Sequence, residues 1–152
     1  MTLKELLTPD LIIFPFSAVS KDDVINQLVD VLDRRYHLTD PSLAKQAVIA
    51  REGLMTTGVG KGVALPHGKF PFTDDVLIAA GIAPAGIDFT AIDGQAVQIF
   101  VLLLTPEKEP GKHLKLLSKF SRMLNNAECR KAILAAGSAA RIAEQFYQFD
   151  PD

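Results

Sequence analysis

Two nearly uninterrupted apolar runs constrain this chain more than any other feature. Residues 76–82 read Val-Leu-Ile-Ala-Ala-Gly-Ile, and residues 97–104 read Val-Gln-Ile-Phe-Val-Leu-Leu-Leu. Strands with one wet face alternate apolar and polar residues. Continuous runs of this length mark strands covered on both faces, at the centre of a sheet between helical layers. Both fall well short of the roughly 18 apolar residues that a membrane helix needs. Asp93-Gly94 between them is a turn signal.

The helical layers are visible on either side. Ser20 with Asp23 three residues later opens a helix over 21–36, with Val24, Leu28, Val31 and Leu32 on one face. Asp40 as N-cap and Pro41 at the first helical position start a second, which carries Arg51 and Glu52 in its last turn and is expected to stop at Gly53. A brief apolar run, Leu11-Ile12-Ile13-Phe14, has the look of a strand stopped by Pro15. After the second long run, a helix is expected over about 112–125, followed by short helices at 127–136 and 138–148. The expected fold is α/β (α+β): one domain, 1–152, with a mixed β-sheet flanked by helices on both faces.

Chemistry concentrates in residues 51–68, Arg-Glu-Gly-Leu-Met-Thr-Thr-Gly-Val-Gly-Lys-Gly-Val-Ala-Leu-Pro-His-Gly. This stretch leaves a helix, passes three glycines at alternate positions, and runs through a short apolar strand, residues 63–65, to His67. An imidazole with an unperturbed pKa of about 6.5 is largely in its nucleophilic form near neutral pH. Pro66 fixes φ and Gly68 has no side chain, so the ring is presented stiffly with open space beside it. A structural histidine with satisfied hydrogen bonds would read the same way locally.

Glu52, six residues, Val59-Gly60, two residues, then Val63-Ala64-Leu65-Pro66-His67-Gly68 resembles the active-site signature of the type-2 enzyme IIA domains of the bacterial phosphoenolpyruvate-dependent phosphotransferase system. This is the fructose/mannitol-type family, which includes the nitrogen-regulatory IIA proteins. Ile87-Asp88-Phe89, Asp93-Gly94, residues 100–104 and His113-Leu114-Lys115-Leu116-Leu117 extend the resemblance over nearly the whole chain. It implies a phosphotransferase in which His67 takes a phosphoryl group from a histidine-containing phosphocarrier protein and gives it to a cysteine of a IIB subunit or domain. The alternative is a regulatory IIA protein whose phosphorylation state selects its partner. The resemblance implies that Arg51 clamps the phosphoryl group and that His113 is a second active-site histidine. No cofactor is required.

The residues support these roles without deciding them. A planar guanidinium holds two phosphate oxygens at once, though a cation at a helix C-terminus is favoured anyway. His113 precedes Leu116, Leu117, Phe120 and Leu124 at helical spacing, so it caps an apolar face and points toward the protein body. It also lies in a first turn, where an anion is favoured; a histidine with only a packing role is the competing reading. Thr57, Gly58, Gly60 and Gly62 are the candidates for a phosphoryl-binding loop, because glycines let backbone approach a ligand. A nucleotide loop is excluded. Lys61 is followed by Gly62 instead of Ser or Thr, Met55 stands where the first Walker glycine belongs, and Val63 or Leu65 stands where a dinucleotide motif has its third glycine.

Two departures from the family pattern stand out: Lys61 where many relatives carry asparagine, which is expected to place a charge near the phosphoryl group, and Gln95-Ala96 where proline is common. Three histidines and one cysteine lack metal-ligand spacing. Cys129 does not match the family's IIB cysteine, so the accepting thiol is expected on another chain, and His37 reads as surface. A net charge of -2 with scattered Lys and Arg gives no footprint for nucleic acid. Residues 1–5 do not resemble a signal peptide, and the expected setting is cytoplasmic, without membrane insertion.

Overall fold

The computed structural model describes residues 2–152; Met1 lies outside the described residues. Its centre is an antiparallel pair, β5 (Leu77–Ile87) and β6 (Val97–Pro106), which carries the two apolar runs. Every residue of β6 except Gln98 is buried, as a strand covered on both faces requires. β1 (Ile12–Ile13) adds in parallel to the outer edge of β5. The other edge of β6 is lined in parallel first by β3 (Val63–Ala64) and then by β4 (His67–Phe70), and β2 (Gly58–Gly60) folds back antiparallel on β3. The order is β1-β5-β6-β3-β2, with β4 also on β6.

Residues 63–70 thus form one strand with a break at Leu65-Pro66. The expected strand 63–65 is present as Val63–Ala64, and of the turn-rich connection 69–74 only the part from Pro71 onward turns, because ladder pairing with Leu103 to Pro106 carries the chain on as strand to Phe70. The β6 ladder tolerates the break: Leu103 N–H donates to Pro66 O at 3.0 Å, and Pro66 itself has no N–H to lose.

Helices cover both faces. After the short α1 (Leu3–Leu6), α2 (Lys21–Tyr36) buries Val24, Ile25, Leu28, Val29, Val31 and Leu32. Ser20 Oγ accepts from Asp23 N–H at 3.0 Å, whereas the Asp23 carboxylate reaches past Ser20 to accept from Val19 N–H. α3 (Pro41–Leu54) begins on the Asp40 cap as expected but runs one residue beyond Gly53. No left-handed glycine is needed there, because Arg51 and Glu52 close the helix end with their own side chains, described below. α4 (Pro110–Asn125), α5 (Ala127–Ala135) and α6 (Ala139–Phe149) complete the chain.

Side-chain alternation sorts the two faces. Phe100 of β6 meets Phe16 and Phe89 edge-on, on the side of α2 and α3, while Thr105 faces α4. β4, paired only to β6, is an edge strand between these helical layers. Among the described residues, no helix is long and apolar enough to cross a membrane.

Candidate functional site

The break before β4 positions His67. Its Nδ1 lies 2.8 Å from the carbonyl oxygen of Leu65, within the break. A carbonyl only accepts, so Nδ1 carries the proton and the neutral ring keeps its lone pair on Nε2. Burial is the main influence on His67 and lowers its pKa below the ordinary histidine value of 6.5; Arg51 lowers it further, while the Leu65 carbonyl and Glu52 push the other way. The ring is therefore neutral and nucleophilic at neutral pH.

Gly68 explains how α3 comes close enough to contribute. A Cβ there would lie 3.1 Å from the backbone nitrogen of Val48 and 3.2 Å from the carbonyl carbon of Ala47. With only hydrogen at that position, β4 lies directly on α3, and Arg51, one turn after Ala47, arrives beside His67. Arg51 Nη1 donates to Met55 O at 2.8 Å, which ties the guanidinium to the chain leaving the helix.

The second histidine comes from the opposite face. α4 returns over the end of β6 and places the His113 ring 4.9 Å from that of His67, centroid to centroid, at 60°. Its Nδ1 is 2.8 Å from Thr105 Oγ1. Burial again lowers its pKa most, and His67, Lys69 and Arg51 add to the effect. Together Ala47, Arg51, His67, Lys69, Pro110 and His113 border an open cleft of about 540 Å³ at the free edge of β4. Two neutral imidazoles, a guanidinium and an ammonium at one edge suit a tetrahedral dianion: cations to hold its oxygens and a nitrogen lone pair to bond its phosphorus.

The glycine stretch does not border this cleft. Gly58 and Gly60 belong to β2, and the turn at Lys61-Gly62 leads into β3. The hairpin packs against residues 91–93: Lys61 N–H donates to Asp93 Oδ2 at 2.9 Å, and Ile92 N–H donates to Gly58 O at 3.0 Å. Thr57, 4% exposed, gives its backbone N–H (2.8 Å) and its hydroxyl to the Glu52 carboxylate, so its donors are used inside the protein. The Lys61 ammonium bonds Asn125 Oδ1 at the far end of α4, on a different cavity from that of His67. The charge expected beside the phosphoryl group is thus placed elsewhere.

Sequence reasoning left four contributors without a role. Glu52, quoted only as part of the signature, is 7% exposed, binds Thr57 and pairs with Lys21 Nζ at 2.9 Å. Lys21 also reaches Thr90 Oγ1 and lies over the Phe89 ring. The others are the Leu65 carbonyl, Lys69 and Thr105. Lys69 was detectable by strand alternation from His67, and Thr105 as the one hydroxyl ending an apolar strand. The Leu65 carbonyl left no trace in residue type. Cys129 is fully buried, and burial pushes its thiol up to about 11, far from a reactive thiolate. His37 is exposed. Among the described residues no cluster of three or more His, Cys, Asp or Glu is placed to hold a metal.

Comparison with known proteins identifies the family. A nitrogen regulatory protein of Pseudomonas aeruginosa is 31% identical over 150 residues, 99% of this chain and 95% of its own length. The fructose-specific EIIABC component of the phosphotransferase system of Bacillus subtilis is 34% identical over 150 residues, 99% of this chain but 24% of its own, so the chain spans about a quarter of that relative. The crystal structure of the nitrogen regulatory protein IIA-Ntr from Neisseria meningitidis superposes with a TM-score of 0.86 at 28% identity, covering 94% of this chain and 97% of that one. The family model described as the phosphoenolpyruvate-dependent sugar phosphotransferase system, EIIA 2, matches residues 5–148, and the chain belongs to that family.

Proposed function

We propose that the protein is a phosphoryl carrier that holds the group on His67 Nε2. The observation that carries this reading is the bond from Nδ1–H to the Leu65 carbonyl, which leaves Nε2 as the only lone pair of a neutral ring in a cationic cleft. The His67 lone pair attacks the phosphorus of a phosphohistidine on the carrier protein; the donor's P–N bond breaks, and its imidazole keeps the electron pair. In the second step a cysteine thiolate of a IIB partner attacks the same phosphorus, and the His67 P–N bond returns its pair to Nε2. Transfer of this kind needs alignment and neutralisation of charge on the three equatorial oxygens. Arg51 and Lys69 supply the positive charge, and His113 supplies a hydrogen bond. The glycines of 58–62 are assigned a packing role.

The test is intact mass after incubation with phosphoenolpyruvate, the general phosphotransferase enzyme and the histidine carrier. One acid-labile phosphoryl group is expected on the protein and none on His67→Ala; an unmodified wild type overturns the proposal. A regulatory role is the second reading, favoured by the near-complete match to a protein named as nitrogen regulatory. It keeps the same phosphohistidine but predicts a partner retained by only one phosphorylation state and no onward transfer to a IIB cysteine.

A further inference from the structure

The register of β4 on β6 does more than hold His67. In a parallel pair, residues opposite one another share a face, and here His67 is opposite Leu103 and Lys69 opposite Thr105. Thr105 therefore lies on the His67 face, one step further along β6. Its exposure is 0%, and among the described residues its hydroxyl has one hydrogen-bond partner, His113 Nδ1 at 2.8 Å, eight residues later on α4. No buried polar side-chain atom is left without a partner among the described residues.

A hydroxyl donates one proton and also accepts. If His113 carried its proton on Nδ1, the buried Thr105 proton would have no acceptor among the described residues, and an unmade buried bond is costly. If Thr105 donates, both groups are satisfied, and the proton of a neutral His113 must reside on Nε2. We infer that Thr105 is a positioning residue that fixes His113 as an Nε2–H donor facing the Nε2 lone pair of His67. The two rings then hold complementary tautomers: His67 is bonded through Nδ1–H to a carbonyl and offers a lone pair, while His113 is bonded through Nδ1 to a hydroxyl and offers a proton. That N–H is placed to bond an oxygen of a phosphoryl group on His67. The same contact resists protonation of His113, because the cation would turn its own Nδ1–H on Thr105 and strand the hydroxyl proton. The groups around the ring work in the same direction: His67 and Lys69 from β4 and Arg51 from α3.

This inference rests on phosphoryl acceptance by His67 for its catalytic consequence, but its central claim is measurable without any donor. The first experiment is long-range nitrogen–proton NMR of ring-labelled, unphosphorylated protein at a pH where both rings are neutral. The expected result is Nδ1–H on His67 and Nε2–H on His113; Nδ1–H on His113 overturns the inference whatever the protein's function. The second compares Thr105→Val, which keeps the β-branched shape, with Thr105→Ser, which keeps the hydroxyl. In the valine variant the His113 titration moves upward and phosphoryl transfer from the phosphorylated histidine carrier slows by about 10- to 100-fold through misplacement of the ring. The serine variant restores both. A valine variant with unchanged His113 titration and unchanged transfer also overturns the inference. If the tautomers are as expected and no variant accepts phosphoryl, the function has failed while the positioning holds.

Discussion

Residues 58–62, with three glycines, and residues 63–68, with Gly68 alone, adjoin in the chain, yet the molecule uses them in opposite ways. The first group forms a hairpin held to residues 91–93 through Lys61, Asp93 and Ile92, and its glycines make room for protein. The second runs along β6, breaks at Leu65-Pro66, and emerges with His67 fixed by a carbonyl in the break. Glycine alone does not distinguish a ligand loop from a packed turn; the location of the nearest unpaired donors does. Just before the hairpin, Thr57 has spent its donors on Glu52, whereas at the edge of β4 a lone pair, a guanidinium and an ammonium remain.

The comparison breaks most severely at His67. His67→Ala is expected to abolish phosphoryl acceptance outright while leaving the fold intact, as read by intact mass and circular dichroism. Glu52 anchors Thr57, the residue that leads into the hairpin, so Glu52→Ala should destabilise the fold. The expected loss is on the order of 2–3 kcal/mol, less than the roughly 3–5 kcal/mol for a fully buried pair because Lys21 keeps access to water, and urea unfolding measures it. Gly68→Ala drives a methyl into the α3 backbone. It should cost about 1–3 kcal/mol and slow phosphoryl acceptance by pushing Arg51 away from His67, an effect absent from changes in the hairpin.

Acid offers a gentler probe. Both cleft histidines have lowered pKa values, so the unfolded chain binds their protons more readily than the native one. Their contribution to stability is complete above the ordinary histidine value of about 6.5 and is lost as pH falls through it toward the native values. Removing both rings should flatten that part of the stability-against-pH curve. By the same argument, phosphoryl acceptance should persist below pH 6.5, which a pH–rate profile measures. The smallest effect is expected in the hairpin: Lys61 sits at a left-handed φ of 60°, so Lys61→Gly should leave phosphoryl acceptance unchanged and raise stability by up to about 1 kcal/mol.

Much of the architecture was legible because it depends on burial patterns. The two continuous runs became the central strands, and the Ser20 and Asp40 caps gave the starts of α2 and α3. The pairing of His67 with His113 was legible too, since the apolar face following His113 turned that side chain inward. What escaped depended on partners distant in sequence. The glycines of the hairpin looked like a ligand loop because their neighbours, residues 91–93, are about thirty positions away. The strand expected over 63–65 resumed after its break as β4 because pairing with β6 outweighed turn-prone composition. Thr105 looked like the tail of an apolar strand until α4 brought His113 back over it.

The break at Leu65-Pro66 also bears on how such a site tolerates variation. The partner that fixes His67 is a main-chain carbonyl, which every possible residue at position 65 supplies, so no single substitution there deletes it. The partner of His113 is a side chain, which one nucleotide change can remove or exchange. In the proposed carrier role, the chain thus writes the attacking nitrogen into its backbone and leaves the assisting one to a replaceable residue, so that drift can adjust how firmly a phosphoryl group would be held without touching where it would be attached.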